Sequence, residues 1–426
     1  MKSRVLKQLV VVTALSAFAA GSAQAAVMGK VGHAMPESHP QAQAMNKFVE
    51  LAAKYTNNNV KIQPFHNAVL GSDEKMLQSV QAGTLEFYIG TLAPLSTRIK
   101  EVQVWDLPFM FASKKEVYAV LDGQSGKKIF EKLEPTGMVG LTWSAMGFRN
   151  LSNSKRAVTK LDDISGLKIR VMANPVALDT WKTIGANAVP MAFAEVFTAL
   201  EIKAIDGQEN PLVHMYANKM QEVQKFISLT NHVYTPVALV VSEKFWKGLS
   251  DADKAGIQKA ADEAKLLQRQ LLDEGDKDVI KKFGDAGVKV DAIPAAELAK
   301  IQEKKLSVRD KMKIEWGGTE AVVHKALVGI RHELDLYLMT EITLEDVAAS
   351  VSHHFRRIFH SREGTLELHL SLLGGIQERY QAPFFNALQK YSHRPTGVFH
   401  ALPISQGKSI VNSHWIKDMI DFYGLD

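Results

Sequence analysis

Two hydrophobic periods take turns along the chain. Alternating apolar positions mark VMGKVGHAM, VKIQPF and LEFYIGTL as strands. Between them, HPQAQAMNKFVELAAKYT and DEKMLQSVQAG place apolar residues three and four apart and read as helices, the second ending at Gly83. This β-α-β-α-β order predicts a mostly parallel sheet with helices on its faces. The pattern resumes after Gly147. SGLKIRVM reads as a strand with Leu167, Ile169 and Val171 on one face and Lys168, Arg170 and Met172 on the other, and Asn174 with Pro175 starts the helix PVALDTWKTIG. AEVFTALEIK follows as a helix, AIDG as a short strand entering a turn, and YTPVALVVS as a strongly apolar strand. Two α/β lobes with a cleft between them are expected.

Ser250 opens a long helix, DADKAGIQKAADEAKLLQRQLLDEG, with Asp253 near a capping-box position. Ile257, Ala261, Ala264, Leu267 and Leu271 fall on one stripe, so this helix should lie against something larger than itself. KKFGDAGVKVDAIP supplies a short strand, and PAAELAKIQEKKLSVRDKM reads as a solvated final helix.

The first residues stand apart from this pattern. Lys2, Arg4 and Lys7 precede LVVVTALSAFAAG, a run too short to span a bilayer, and Ala23-Gln24-Ala25 forms a small-residue cleavage site. A signal peptide over residues 1–25, cleaved after Ala25, is expected, leaving no segment for direct membrane insertion. Its removal lowers the formal net charge from +5 to +2, so the basic balance does not argue for a nucleic-acid partner. The chain has no cysteine, so an exported form must rest on a full-sized core rather than on disulfides, and 426 residues suffice for two or three such domains. A bacterial periplasmic location fits best. Past about Met312 the composition changes, with nine of the fourteen histidines between His324 and His414.

Candidate chemistry is sparse. His353, His354 and His360 in HHFRRIFH lack the HExxH pattern and an obvious third ligand, so no metal is expected. QGKS at 406–409 would need a glycine where Leu402 stands to form a phosphate loop, and neither G-x-S-x-G nor a strand-borne G-x-G-x-x-G occurs. No catalytic residue and no cofactor is assigned. What remains is polar residues at strand ends beside the expected cleft: Arg149 in GFRN, Arg170 in GLKIRVMANP and Asn210 after the AIDG turn. Arg170 is either a solvated edge charge or a cation awaiting an anion. Two arginines with an asparagine could grip a carboxylate through a guanidinium fork.

The run GFRNLSNSKRAV, LDDISGLKIRVMANP and GANAVPMAFAEVFTALEIKAIDGQENPL resembles the TRAP-transporter periplasmic solute-binding proteins of the dicarboxylate-binding type. LGSDEKMLQSVQAGTLEF, VWDLPFMF and TNHVYTPVALVVS are similar to that family too, so the resemblance covers about residues 26–311. It implies a two-lobed periplasmic-binding-protein fold joined by crossing strands, with a long helix spanning both lobes. Such a protein closes around a small organic acid, a C4-dicarboxylate or related carboxylate, and delivers it to the membrane subunits of a permease. By the same resemblance Arg170 is the carboxylate-binding arginine, Arg149 a second cleft arginine, Asn210 the amide of DGQENP and Phe193 an aromatic beside the ligand. Tyr234 on the crossing strand, and His33, Glu37, Thr91 and Trp143 on the first-lobe wall, are further candidates. The expected layout is 26–147 with 236–276 as lobe 1, and 148–235 with 277–311 as lobe 2.

Residues 312–426 carry a second resemblance. TEAVVHKALVGIRHELDLYLMT and RYQAPFFNALQKYSHRPTGVFHALPISQGKS look like the opening of pyridoxal-phosphate decarboxylases of the ornithine, lysine and arginine class. The stretch contains no Schiff-base lysine motif of that class, which implies an appended, mostly helical fragment without catalytic function. The alternative is a decarboxylase-like fusion in which this fragment keeps a role related to pyridoxal phosphate.

Overall fold

The computed structural model describes residues 25–315. The expected signal peptide up to residue 24, and the decarboxylase-like stretch from residue 316 with His353, His354 and His360, lie outside the described residues. Strands β1 (Val27–Gly32), β2 (Val60–Phe65) and β3 (Phe87–Gly90) pair in parallel in the order β2-β1-β3. The helices Pro40–Tyr55 and Asp73–Ala82 make the two crossovers. Each starts as its sequence dictates. Pro40 occupies the first turn behind the cap residue His39, and Ser72 accepts a hydrogen bond from the Lys75 amide. Gly83 closes the second helix in the left-handed region at φ 72°.

The next strand was not anticipated as an element from its periodicity. β4 (Met138–Asn153) runs for sixteen residues, and register shifts at Gly140/Thr142 and Ala145/Gly147 break its alternation. It is followed by β5 (Lys168–Val171), β6 (Asn187–Pro190), β7 (Gly207–Pro211), β8 (Phe226–Leu229), β9 (Tyr234–Ser242) and β10 (Lys289–Ala292). β4 belongs to two sheets. From Met138 to Phe148 it pairs antiparallel with β9, which also pairs with β3 and so completes the first sheet. From Arg149 to Asn153 it pairs with β7 on one side and β8 on the other, giving a second sheet in the order β6-β5-β7-β4-β8-β10. This is the two-lobed α/β architecture.

One expectation fails within the second sheet. The AID of AIDG is a bend, and the strand is GQENP, which the sequence reads as a turn because all its side chains before the proline are polar or absent. Hydropathy cannot mark such a strand. It forms because Gln208 donates to Ser152 Oγ at 2.7 Å and Asn210 donates to Gln208 Oε1, so the buried amides are satisfied inside the sheet.

The long helix Asp251–Asp276 starts at Ser250, which accepts from the Asp253 amide at 3.1 Å. Its buried stripe runs Ile257, Ala261, Ala264, Gln268 and Leu272, whereas Leu267 and Leu271 are only half-buried. The polar members of that face have partners on β4. Gln258, Arg269 and Gln268 donate to the carbonyls of Leu141, Trp143 and Ala145 at 2.9, 3.1 and 2.6 Å. The final helix, Ala295–Glu315, is not wholly solvated, since Ile301 is buried and the helix packs on Pro175–Thr183.

Near its start the long helix comes so close to Pro40–Tyr55 that a Cβ on Gly256 would stand 2.7 Å from the Tyr55 carbonyl oxygen. Gly256→Val should therefore destabilise the chain by about 1–3 kcal/mol, read as a lower midpoint in urea unfolding, whereas a valine at exposed Leu266 should change little.

Candidate functional site

Register divides the second sheet into two faces with different chemistry. Laterally paired residues share a face, so Arg170, Gln208, Asn210, Asn150 and Ser152 line one side through the pairs Arg170–Gln208, Ser152–Gln208 and Asn150–Asn210. Arg149, Leu151, Glu209 and Ile169 line the other. The second face packs under the helix Pro175–Thr183, where Leu151, Ile169, Val171 and Trp181 form one core cluster.

On that face Arg149 is fully engaged. Its Nε and Nη2 donate to the two carboxylate oxygens of Glu209, the Nη2 bond being 2.8 Å, and its Nη1 donates to Thr235 Oγ1 at 3.1 Å. His232 Nε2 lies 3.0 Å from the same carboxylate, and its Nδ1 lies 2.7 Å from Thr230 Oγ1. Burial alone would raise the Glu209 pKa, but Arg149 and His232 hold it down at about 2. A small cavity beside this trio is lined by Asp106, Thr180 and Trp181, and burial pushes the Asp106 carboxyl up to about 7.

Arg170 is treated differently. Its Nε and Nη2 both donate to the Met191 carbonyl, at 2.9 and 2.7 Å, and its guanidinium lies 5.9 Å from the centre of the Phe193 ring. No carboxylate among the described residues forms an ion pair with it, although it is only 3% exposed. Burial, reinforced by the like charge of Arg149, lowers its pKa to about 10. Phe193 stacks in turn near His214, with ring centres 4.5 Å apart, and His214 meets His39 at 5.5 Å.

His39 caps a helix of the first sheet and His214 follows β7 of the second, so this contact joins the two lobes. Asp73 approaches from the same side. It accepts from Tyr88 Oη at 3.0 Å, burial raises its pKa, and the charge of Arg170 opposes that rise.

The other candidates have local partners. His33 Nδ1 accepts from the Met35 amide at 3.1 Å, which leaves its Nε2 to donate to His66 Nδ1 at 2.9 Å. Thr91 Oγ1 accepts from the Ala93 amide at 3.2 Å, and Glu37 is exposed. Trp143 donates from Nε1 to the Gly126 carbonyl at 3.0 Å and stacks on Phe130 with centres 4.4 Å apart, inside the first-lobe core. The Tyr234 ring packs against Phe148, and its hydroxyl lies 3.4 Å from that of Tyr118. The structure thus brings Arg170, Phe193 and Asn210 to one face, and gives Arg149, Trp143 and Tyr234 partners elsewhere.

Sequence reasoning did not single out His39, Asp73, Glu209, His214 or His232. A signal existed for some of them. The described residues contain five histidines, and each makes a specific contact: His33 with His66, His39 with His214, and His232 with Glu209.

The arrangement can bind an anion on a desolvated guanidinium, flanked by an aromatic ring and neutral imidazoles. Known proteins agree with that chemistry. Residues 31–315 match the family described as bacterial extracellular solute-binding protein, family 7. The chain is 32% identical over 328 residues to the C4-dicarboxylate-binding periplasmic protein DctP of Rhodobacter capsulatus, covering 76% of this chain and 98% of that one. It is 32% identical to the 2,3-diketo-L-gulonate-binding periplasmic protein YiaO of Escherichia coli, covering 68% and 88% of the two chains. The crystal structure of the sugar acid binding protein DctPAm from Advenella mimigardefordensis in complex with galactonate superposes with a TM-score of 0.70 at 38% identity, over 72% of this chain and 99% of that one. No helix among the described residues is long and apolar enough to cross a membrane.

Two outcomes follow from the buried charges. Removing Glu209 leaves Arg149 buried without its anion, so Glu209→Ala should cost about 3–5 kcal/mol in urea unfolding. The second concerns pH. His33 and His39 stay neutral in the folded chain down to about pH 3, while the unfolded chain takes up their protons near 6.5. The contribution of these two imidazoles should therefore be level above pH 6.5 and fall as pH drops toward 3, by up to about 1.4 kcal/mol per pH unit for each, while Asp106, whose carboxyl stays protonated up to about 7, contributes in the opposite sense between about pH 7 and 4. Thermal melts between pH 8 and 4 measure the slope, and His39→Asn, which keeps a helix-capping side chain, should make it shallower.

Proposed function

Because the chain belongs to family 7 of the bacterial extracellular solute-binding proteins, we propose that it is the periplasmic binding component of a TRAP-type transporter. It captures a small organic acid between its lobes and hands it to the membrane subunits of the permease. The observation that carries this reading is the Arg170 guanidinium, buried on a strand, held by one backbone carbonyl and in no ion pair with a carboxylate among the described residues. Keeping a cation out of water without an anion is costly, and a bidentate carboxylate offsets that cost. Asn210 and Phe193 complete the grip from the same lobe. Glu209 neutralises Arg149 locally, so we assign Arg149 to shaping the field and the strand geometry behind the ligand rather than to a second full positive charge. Tyr234 belongs to the strand region where the lobes join.

The lobe boundaries proposed are 26–147 with 236–276 and 148–235 with 277–311, because β4 changes sheets between Phe148 and Arg149. Export by an N-terminal signal is part of the same proposal, as is the absence of enzymatic activity. Support for a pyridoxal-phosphate role would have to come from residues beyond the family match, which ends at 315.

Loss of one partner from a buried, charge-assisted pair costs about 3–5 kcal/mol, so Arg170→Ala should weaken binding of the acid at least 100-fold. Isothermal titration of the full chain, with acids first ranked by thermal shift, measures this. Undiminished affinity in Arg170→Ala would overturn the assignment.

A further inference from the structure

We propose that His39, His214 and Asp73 form a specificity wall opposite Arg170, and that this wall restricts the ligand to a monocarboxylate bearing hydroxyl groups beyond its carboxylate. The inference rests on the function proposed above and concerns the same cleft.

The geometry begins with the helix cap. The Gln41 amide donates to His39 Nδ1 at 3.0 Å, which makes that nitrogen an acceptor and puts the ring proton on Nε2. His39 Nε2 is buried and has no hydrogen-bond partner among the described residues. The same holds for both ring nitrogens of His214, whose ring contacts His39 on one side and Phe193 on the other. Three buried polar atoms therefore converge where the first lobe meets the Arg170 face. Unpaired buried donors and acceptors are rare in folded chains because each forfeits its hydration.

Their chemistry discriminates among partners. Burial keeps both imidazoles uncharged at neutral pH, so each neutral ring offers one donor and one acceptor. A hydroxyl group, itself both donor and acceptor, can satisfy either nitrogen. A carboxylate can only accept, and it would also meet the Asp73 carboxyl, which lies close enough to Arg170 to feel its charge. Nor is a second cation free to receive it, because Arg149 is bound to Glu209. The cleft thus presents one available positive charge and, facing it, a wall suited to hydroxyls, which is the pattern of a sugar acid such as an aldonate rather than of succinate.

Isothermal titration of the full chain with D-gluconate, D-galactonate and succinate tests this, in the parent, His39→Asn, His214→Phe and Arg170→Ala. Asparagine retains a capping side chain and phenylalanine retains ring volume, and thermal melts verify that each variant folds. The parent should bind at least one aldonate 100-fold or more tighter than succinate. His39→Asn and His214→Phe should each weaken that aldonate about 10-fold to 100-fold while changing succinate less than 3-fold, as expected for the loss of one or two hydrogen bonds. Succinate binding as tightly as both aldonates, or histidine variants that weaken both classes equally, would overturn the wall and leave the carboxylate grip intact if Arg170→Ala still abolishes binding. Aldonate binding that survives in Arg170→Ala would instead overturn the grip, and binding of none of the three acids by the parent would overturn the wall.

Discussion

The carbonyls of Leu141, Trp143 and Ala145 leave β4 along the edge that β9 does not cover, and their capping fixes how the two lobes are joined. A strand edge with unpaired carbonyls must be covered or solvated. Here Gln258, Arg269 and Gln268 of the long helix cover it, so the helix cannot slide or roll without breaking these bonds. Arg269 is fixed in turn by Asp122, which accepts from both of its Nη atoms at 2.7 and 3.0 Å, and by the Tyr118 ring 4.0 Å away. Tyr118 reaches Tyr234 on β9, next to the point where β4 passes from one sheet to the other. Helix, edge and crossing point form one connected unit, on which the placement of the second sheet depends.

That placement explains why two arginines twenty-one positions apart have different environments. β4 and β7 run antiparallel, so Arg149 and Glu209 fall diagonally on one face and can pair through both carboxylate oxygens. β5 joins β7 in a register that sets Arg170 beside Gln208, on the opposite face. A shift of one residue in either pairing would exchange the faces and bring both cations to the same side. The neutralised pair sits under a helix and serves folding. The other cation sits against an aromatic ring, and recognition is the role proposed for it.

Much of this fold was legible because β1, β2, β3 and β9 and the helices around them follow simple periods, with caps at Ser72, Asn174 and Ser250 and a left-handed glycine at Gly83. Two of the failures share a cause. GQENP and the Gln268 position of the long helix are buried polar positions whose partners lie far away in sequence, at Ser152 and Ala145. A local pattern can register that a side chain is polar but not that it will be satisfied inside. The site divides the same way. Arg170 announced itself as a charge leaving an apolar strand, whereas no local pattern marks His39, just ahead of a helix, or His214. Only tertiary contact brings those two rings together.

On the proposed function, these groups would couple lobe closure to ligand binding. His39 and Asp73 belong to the first lobe, and Arg170, Phe193 and His214 to the second, so bringing the lobes together removes water from both sets at once. Each lost hydration shell opposes closure, most strongly for the guanidinium, whose lowered pKa records the unfavourable burial of its charge. A ligand shifts the balance between open and closed forms only by its differential affinity for them. A carboxylate on Arg170, as proposed, would cancel the largest opposing contribution, because it would act in the desolvated closed form, where Coulomb attraction is least screened. Groups bonded to His39 and His214, in the proposed wall, would cancel the remainder only when both lobes contribute, which would tie recognition of the distal part of the ligand to the closed shape. Closure then becomes most favourable for a molecule that satisfies both walls, and a ligand matching only the arginine leaves part of the desolvation uncompensated.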